Sequence, residues 1–344
     1  MMHATLYCGD ALEVLRRLSG GSCRICVTSP PYWRQRDYGV PGQLGLEATP
    51  EEYVARLVAI FAEVRRVLRD DGTLWLNLGD GWSGAGKGGN PGNSPHVKQR
   101  TNRGSLVMRG RRRSPFKDKD LIGVPWMTAF ALRADGWYLR QCNIWAKPNR
   151  MPESVTDRST ISHEYVFHLS KSNNYFYAAE AARTPAAPSS DTRLAQHVEG
   201  QLGSVRAHGG RKSNGPMKAV RREKQRGHSR RHDGFNGRWD AMEQVAAGAN
   251  LSSVWWISPA QYREAHFAVM PSLLAEICIL AGSEAGDVVL DPFGGSGTVA
   301  QVATGHGRDA IYVDLNPAYL ALAEQRIGPM LCDRAGTAAG ARDG

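Results

Sequence analysis

The stretch Asp287-Val288-Val289-Leu290-Asp291-Pro292-Phe293-Gly294-Gly295-Ser296-Gly297-Thr298 decides the fold. Asp287 to Leu290 reads as a buried strand, and Asp291 to Thr298 is a tight glycine loop that opens a helix. A further strand, Ala310 to Val313, ends at Asp314, and Pro317 to Arg326 has the spacing of a closing helix. Strand, glycine loop, helix, strand and acid make the nucleotide-binding half of a doubly wound α/β sheet. Backbone N–H groups at such a helix start can approach a ligand closely. Asp314 is placed to accept hydrogen bonds from ribose hydroxyls. Gly295 to Ala300 also satisfies G-x-G-x-x-A, the dinucleotide fingerprint, so a dehydrogenase stays open as a rival reading. Asp291 points elsewhere: a carboxylate at the strand tip repels a pyrophosphate and suits an ammonium group. S-adenosylmethionine has an amino acid end, a sulfonium and no phosphate.

Far upstream, Cys23 to Val27 reads as another buried strand, running into Thr28-Ser29-Pro30-Pro31-Tyr32-Trp33. The prolines end the strand and hold the backbone extended and stiff. They donate no hydrogen bond, so nearby carbonyls are left as acceptors. Tyr32 offers a flat face on which an extruded base can stack. A base amino group is a poor nucleophile because its lone pair is delocalised into the ring. Acceptors for its two N–H groups, here the Ser29 hydroxyl and the Pro30 carbonyl, favour a pyramidal nitrogen with an available lone pair. The hydroxyl can also donate to cytosine N3, as an ionised Asp cannot.

Thr-Ser-Pro-Pro-Tyr-Trp followed by Asp-Pro-Phe-Gly-Gly-Ser-Gly-Thr resembles the amino-methylating DNA methyltransferases. The order is that of their permuted β group, with the catalytic motif before the cofactor motif. The resemblance implies a Rossmann-like α/β sheet that uses S-adenosylmethionine, with a basic DNA-recognition insertion. By the same resemblance Ser29, Pro30, Pro31 and Tyr32 are catalytic. Asp291, Phe293, Gly294, Gly295, Ser296, Gly297 and Thr298 form the cofactor loop, and Asp314 binds the ribose. Asp10, in Tyr7-Cys8-Gly9-Asp10, approaches the adenine, while Phe267 and Pro271 pack on the methionine end. Glu164 to Phe167 lies behind the target-base pocket. The implied mechanism is base flipping and direct in-line attack, with no covalent intermediate and no essential cysteine. First-position Ser is commoner in cytosine-N4 enzymes and Asp or Asn in adenine-N6 enzymes, so cytosine N4 is expected, with adenine N6 as the alternative. A homodimer and a cognate restriction endonuclease are further expectations.

The net charge is +10, from 43 basic and 33 acidic residues. Residues 81–120 hold ten Lys or Arg against two Asp, and residues 211–231 hold nine against one Glu. Each stretch is thus in excess by eight, which leaves the rest of the chain acidic by six. Concentrated charge of this kind neutralises the phosphates of double-stranded DNA, although a solvated loop has the same composition. Lys147, in the stiff Lys147-Pro148-Asn149 loop, and Arg221, Arg222, Arg230 and Arg231 are the candidate DNA contacts.

Residues 1–183 are read as the catalytic half and 184–250 as the target-recognition region. Residues 251–330 are then the cofactor half, and 331–344 a disordered tail. Thr49-Pro50-Glu51-Glu52 starts a helix, Val124 to Ala134 is another, and Trp255-Trp256 is read as core rather than a stacking platform. Cys23 and Cys26 form a lone C-x-x-C without a second pair, and the ten histidines lack metal spacing, so no metal is assigned. No apolar run suits a membrane span and Met1 to Asp10 lacks the form of a signal peptide, so a cytoplasmic protein, prokaryotic or phage-encoded, is expected. A non-catalytic DNA-binding protein and an RNA substrate are the remaining alternatives.

Overall fold

A computed structural model describes residues 2–83, 116–149, 153, 155–184, 248–260 and 269–335. Arg221, Arg222, Arg230, Arg231 and Phe267 lie outside the described residues, as does most of the first basic stretch. Contacts divide the chain into two compact units, Met1–Ala178 with Ser253–Gly344, and Ala179–Ser252.

The two motif strands, more than 260 residues apart in sequence, are neighbours in one sheet. Strands β1 (Ala4–Cys8), β2 (Cys23–Thr28), β3 (Leu68–Leu78), β4 (Tyr138–Ala146), β5 (His163–Ser170), β6 (Val254–Trp256), β7 (Val288–Asp291), β8 (Asp309–Asp314) and β9 (Cys332–Arg334) form it. Their order is β6-β4-β5-β3-β2-β7-β8-β1-β9. Strand β5 runs antiparallel to β3 and β4, and all other pairings are parallel. Ile25 pairs with Val289 and Cys26 with Leu290, so β2 and β7 end on the same edge. Ligands of open α/β sheets bind at that edge, outside the carboxyl ends of the strands.

Every residue of β2 is buried, because helices cover both faces of the sheet, and its sequence is accordingly a run rather than an alternation. Helices α1 (Ala11–Arg17), α2 (Pro50–Val67) and α3 (Val124–Ala134) pack in series on one hydrophobic core with β2 and β3. Helices α4 (Ser272–Gly282), α5 (Thr298–Gly305) and α6 (Pro317–Ile327) pack in series apart from that core. The expected start of α2 is present: Glu52 N donates to Thr49 Oγ1 at 3.2 Å and Pro50 takes the first turn. The charged residue of β2, Arg24, is paired: it holds Asp71, donates to Asp287 at 3.1 Å and stacks on Phe176. A buried guanidinium without such partners would be costly.

Three features depart from the reading of the sequence. Strand β3 starts at Leu68 and runs through Asp71-Gly72, with the irregularity taken up by a register shift against β2. The tail expected to be disordered begins instead with β9, which adds to β1 through Ala4, Thr5 and Leu6. The tryptophan pair divides: Trp255 is buried beside Trp75, while Trp256 is 73% exposed on an edge strand. Alternation along a strand sends adjacent side chains to opposite faces. Isolated bridges pair Trp82 with Leu121 and Thr184 with Ala249. Among the described residues no helix is long and apolar enough to cross a membrane.

Candidate active site

The carboxyl edge opens on a cavity of about 300 Å³. Ser29, Pro30, Pro31 and Tyr32 line it from β2, and Asp291, Phe293, Gly294, Gly295, Ser296 and Thr298 line it from β7 and its loop. Asp10 closes one side and Asp314 another. The two motifs touch directly, through Thr28 Oγ1 donating to Asp291 Oδ1 at 2.6 Å.

The carboxyl groups are set by their surroundings. Asp291 is 4% exposed, and burial, with a smaller push from Asp314, raises its pKa to about 7 against the opposing bonds from Thr28 and Phe293 N. Asp314 accepts from Gly295 N at 2.8 Å and Asn316 N at 2.7 Å, yet burial still lifts it to about 6. Asp10 caps α1, its Oδ1 accepting from Glu13 N at 3.1 Å.

The glycines of the loop divide by task. A Cβ on Gly294 would stand 2.1 Å from the Tyr312 ring, and Gly297, at φ +77°, would meet Ala323 at 2.8 Å. Gly297 does not line the cavity: it is glycine because α6 passes too close. Gly295 is the open one, with nothing nearer than 4.0 Å to its would-be Cβ. Ser296 and Thr298 hydroxyls accept from Arg326 at 2.9 and 2.7 Å, which ties the loop to α6. Pro271 likewise does not line the cavity; its carbonyl starts α4, and Val269 and Met270 line the wall instead.

The pocket beside Tyr32 is more polar than the motif suggests. Its ring lies against Gly79, where a Cβ would stand 2.6 Å from the ring edge. Tyr32 OH lies 2.6 Å from Glu164 Oε2 and 3.1 Å from Asn77 Oδ1, and Ser29 Oγ donates to it at 3.3 Å. Asn77 Nδ2 donates to Glu164 at 3.1 Å. Burial first, then the Glu164 carboxylate, raise the Tyr32 pKa well above its ordinary value, so the phenol keeps its proton. Lys147 pairs with Glu164 and lies 4.3 Å from the Trp145 ring centroid, so its ammonium is turned into the cavity wall rather than outward to phosphates. The Pro31 carbonyl accepts from Tyr53 OH at 2.8 Å and thus serves to hold the loop. The Ser29 proton is engaged by Tyr32, which removes the expected donation to cytosine N3 in this arrangement.

Asn77 is absent from the candidates chosen by motif, and Glu164 enters there only in the strand behind the target-base pocket, with no role of its own. The signal that finds them is local: an Asn inside the apolar run Thr73–Leu78, and a charged residue entering the apolar strand β5. Each is costly to bury unless bonded. What the sequence does not show is that they converge, because β3 and β5 are about ninety residues apart. The cysteines of β2 are buried, which pushes the Cys23 thiol to about 11 and the Cys26 thiol well above its ordinary value.

Comparison with known proteins shows the family. Residues 23–325 match the N6/N4 methyltransferase family, described as DNA methylase. Type II methyltransferase M.XycI of Xanthomonas campestris pv. cyanopsidis is 42% identical over 94% of this chain and 87% of its own length. The chain belongs to the N6/N4 family of DNA methylases. S-adenosylmethionine is the methyl donor of these enzymes. A putative DNA modification methylase of Thermus thermophilus, TTHA0409, solved with S-adenosyl-L-methionine, shares the fold at TM-score 0.55 and 22% identity, over 97% of this chain and 99% of its own. The PvuII DNA methyltransferase, a cytosine-N4-specific enzyme, does so at 0.60 and 17%, over 94% and 86%. The methylase is thus a type II amino-methyltransferase of DNA.

The residues present fit the donor. The carboxyl groups of Asp10, Asp291 and Asp314 and an uncovered glycine line a cavity at the lower end of small-molecule sites.

Proposed function

We propose that the protein methylates the N4 amino group of cytosine at a specific site in double-stranded DNA, with the base turned out into the cavity beside Tyr32. The observation that supports methyl transfer to a flipped base, whichever base it is, is the junction of the two motifs: the Thr28–Asp291 bond sets the base-side and cofactor-side loops into one wall. A base inside a duplex cannot reach such a site without leaving the stack.

S-adenosylmethionine, when bound, supplies a methyl group made electrophilic by its sulfonium. Asp314 accepts from the ribose, Asp291 faces the ammonium end, and Asp10 and Phe293 bound the rest of the ligand. Thr298 and Ser296 hold the loop shape through Arg326. On the other side Ser29 and the Pro30 carbonyl accept the amino N–H groups and Tyr32 stacks on the ring. Cytosine is favoured because Ser29 is short. A carboxylate or amide at that position reaches further into the pocket, and the two bases place their amino groups differently. Lys147, a three-proton donor in the same wall, offers cytosine N3 or O2 the bond that Ser29 does not. Adenine N6 is the second reading. The type II relatives support a place in restriction–modification beside a cognate endonuclease.

Mass spectrometry of nucleosides from treated DNA tests the base. N4-methylcytosine is expected, and N6-methyladenine alone overturns the choice while the enzyme class stands. Ser29→Ala is expected to slow methylation at least tenfold with cofactor affinity unchanged. Turnover near wild type in that variant removes Ser29 from the chemistry.

A further inference from the structure

The Glu164–Tyr32–Ser29 chain has a direction. A phenol has one proton, and the 2.6 Å contact to Glu164 takes it in preference to the 3.1 Å contact to Asn77. Glu164 cannot return a proton, because its Oε2 already accepts from Asn77 Nδ2 and its Oε1 is held by Lys147. Tyr32 oxygen therefore presents only lone pairs to its neighbours, and Ser29 must donate to it. With its single proton committed, the Ser29 oxygen presents lone pairs to the cavity.

We propose that Glu164 is a positioning residue for methyl transfer, which acts through Tyr32 to keep the Ser29 oxygen an acceptor for the target amino group. This rests on the reading of Ser29 as an acceptor given above. The Lys147 pair makes the direction robust. In a Glu164→Gln variant the amide oxygen turns to the Lys147 ammonium, since an amide N–H₂ facing an ammonium is repulsive. The amide nitrogen then faces Tyr32 and Asn77 Nδ2, loses the bond from Asn77 and donates to Tyr32, whose own proton is no longer drawn to a carboxylate and can turn to the Ser29 oxygen. A phenol proton turned that way releases the Ser29 proton into the cavity, opposed to the amino N–H groups it had to receive. Shape and volume are preserved, while the donation from Ser29 to Tyr32 is no longer enforced.

The test is single-turnover methylation of a duplex substrate by the full chain, at saturating S-adenosylmethionine. Glu164→Gln is expected to lower the rate at least tenfold, with KM for DNA and for cofactor within twofold of wild type. In a Ser29→Ala background the same change is expected to alter the rate less than twofold, because the group it acts through is gone. Rate losses that multiply in the double variant, or a Glu164→Gln rate within threefold of wild type, overturn the proposal. Tyr32→Phe removes the linking oxygen and keeps the ring, so it serves if Glu164→Gln does not fold. A loss of at least tenfold is expected there, and a wild-type rate overturns the proposal. Failure of the Ser29 reading is seen separately, as an unimpaired Ser29→Ala single variant.

Discussion

Asp291 and Asp314 end neighbouring strands, and burial holds both well above the ordinary carboxyl range, at about 7 and about 6. An acid with a raised folded pKa keeps its proton longer folded than unfolded. Its contribution to stability is complete below the unfolded value near 4 and drains away as pH rises through the folded one. The cofactor-free protein is therefore expected to lose thermal stability between about pH 4 and pH 7, and Asp291→Asn should flatten that slope. Calorimetric melting across this range checks it, and an identical slope in the variant would show that Asp291 is not the group. Cofactor binding has the opposite sign, because both carboxyl groups accept hydrogen bonds best when ionised. Affinity for S-adenosylmethionine should rise over about pH 5 to 8 with release of protons, which calorimetry in two buffers of different ionisation enthalpy measures. Asp314→Ala should weaken binding by roughly 1–3 kcal/mol through the lost ribose bonds. Unchanged affinity would take Asp314 out of the site.

The turn between β7 and α5 is one element with two kinds of glycine, and substitution separates them. Gly297→Ala combines positive φ with a 2.8 Å approach to Ala323, and Gly294→Ala drives a methyl into the Tyr312 ring. Each should destabilise the fold by about 2–4 kcal/mol, a loss of several degrees in melting temperature. Gly295→Ala, at φ +50° with open space beside it, should cost only about 1 kcal/mol of stability and still weaken the cofactor. Equal stability losses at Gly295 and Gly297 would contradict this division. The sequence marks all three positions alike as a glycine loop. Which of them faces a ligand depends on where α6 and Tyr312 lie, and that is not written locally.

At the scale of the molecule, the positive charge is concentrated in two stretches, each in excess by eight, while the rest of the chain is acidic by six. If they hold phosphates, log affinity for DNA should fall against log salt with a slope near −0.9 for each contact. Neutralising Arg221, Arg222, Arg230 and Arg231 together should flatten that slope by several contacts. An unaltered slope, measured by titration across salt concentrations, would make the second stretch a solvated loop. Lys147 belongs to a different account, since its ammonium is paired inside the cavity wall, and its removal should change turnover more than the salt slope. A homodimer would show in light scattering as twice the 37.6 kDa chain.

What the amino-acid sequence determined by itself was whatever short-range pattern encodes. The strands and helices were legible because burial imposes a period on the chain, and the caps at Thr49 and the stops at Pro30-Pro31 because backbone geometry is local. The two motifs were legible for the same reason: a glycine loop and a Ser-Pro-Pro-Tyr turn each carry their conformation within a few residues. Strands β6 and β9 escaped because each is three residues long and is a strand only by virtue of a neighbour. The tertiary structure alone decided that Thr28 meets Asp291, that Lys147 turns inward, and that Asn77 and Glu164 reach Tyr32. Those contacts arise from strand order and from the register of β5 between β3 and β4. Register is set by which faces of distant strands bury together, a property of the whole core that no single stretch of sequence contains.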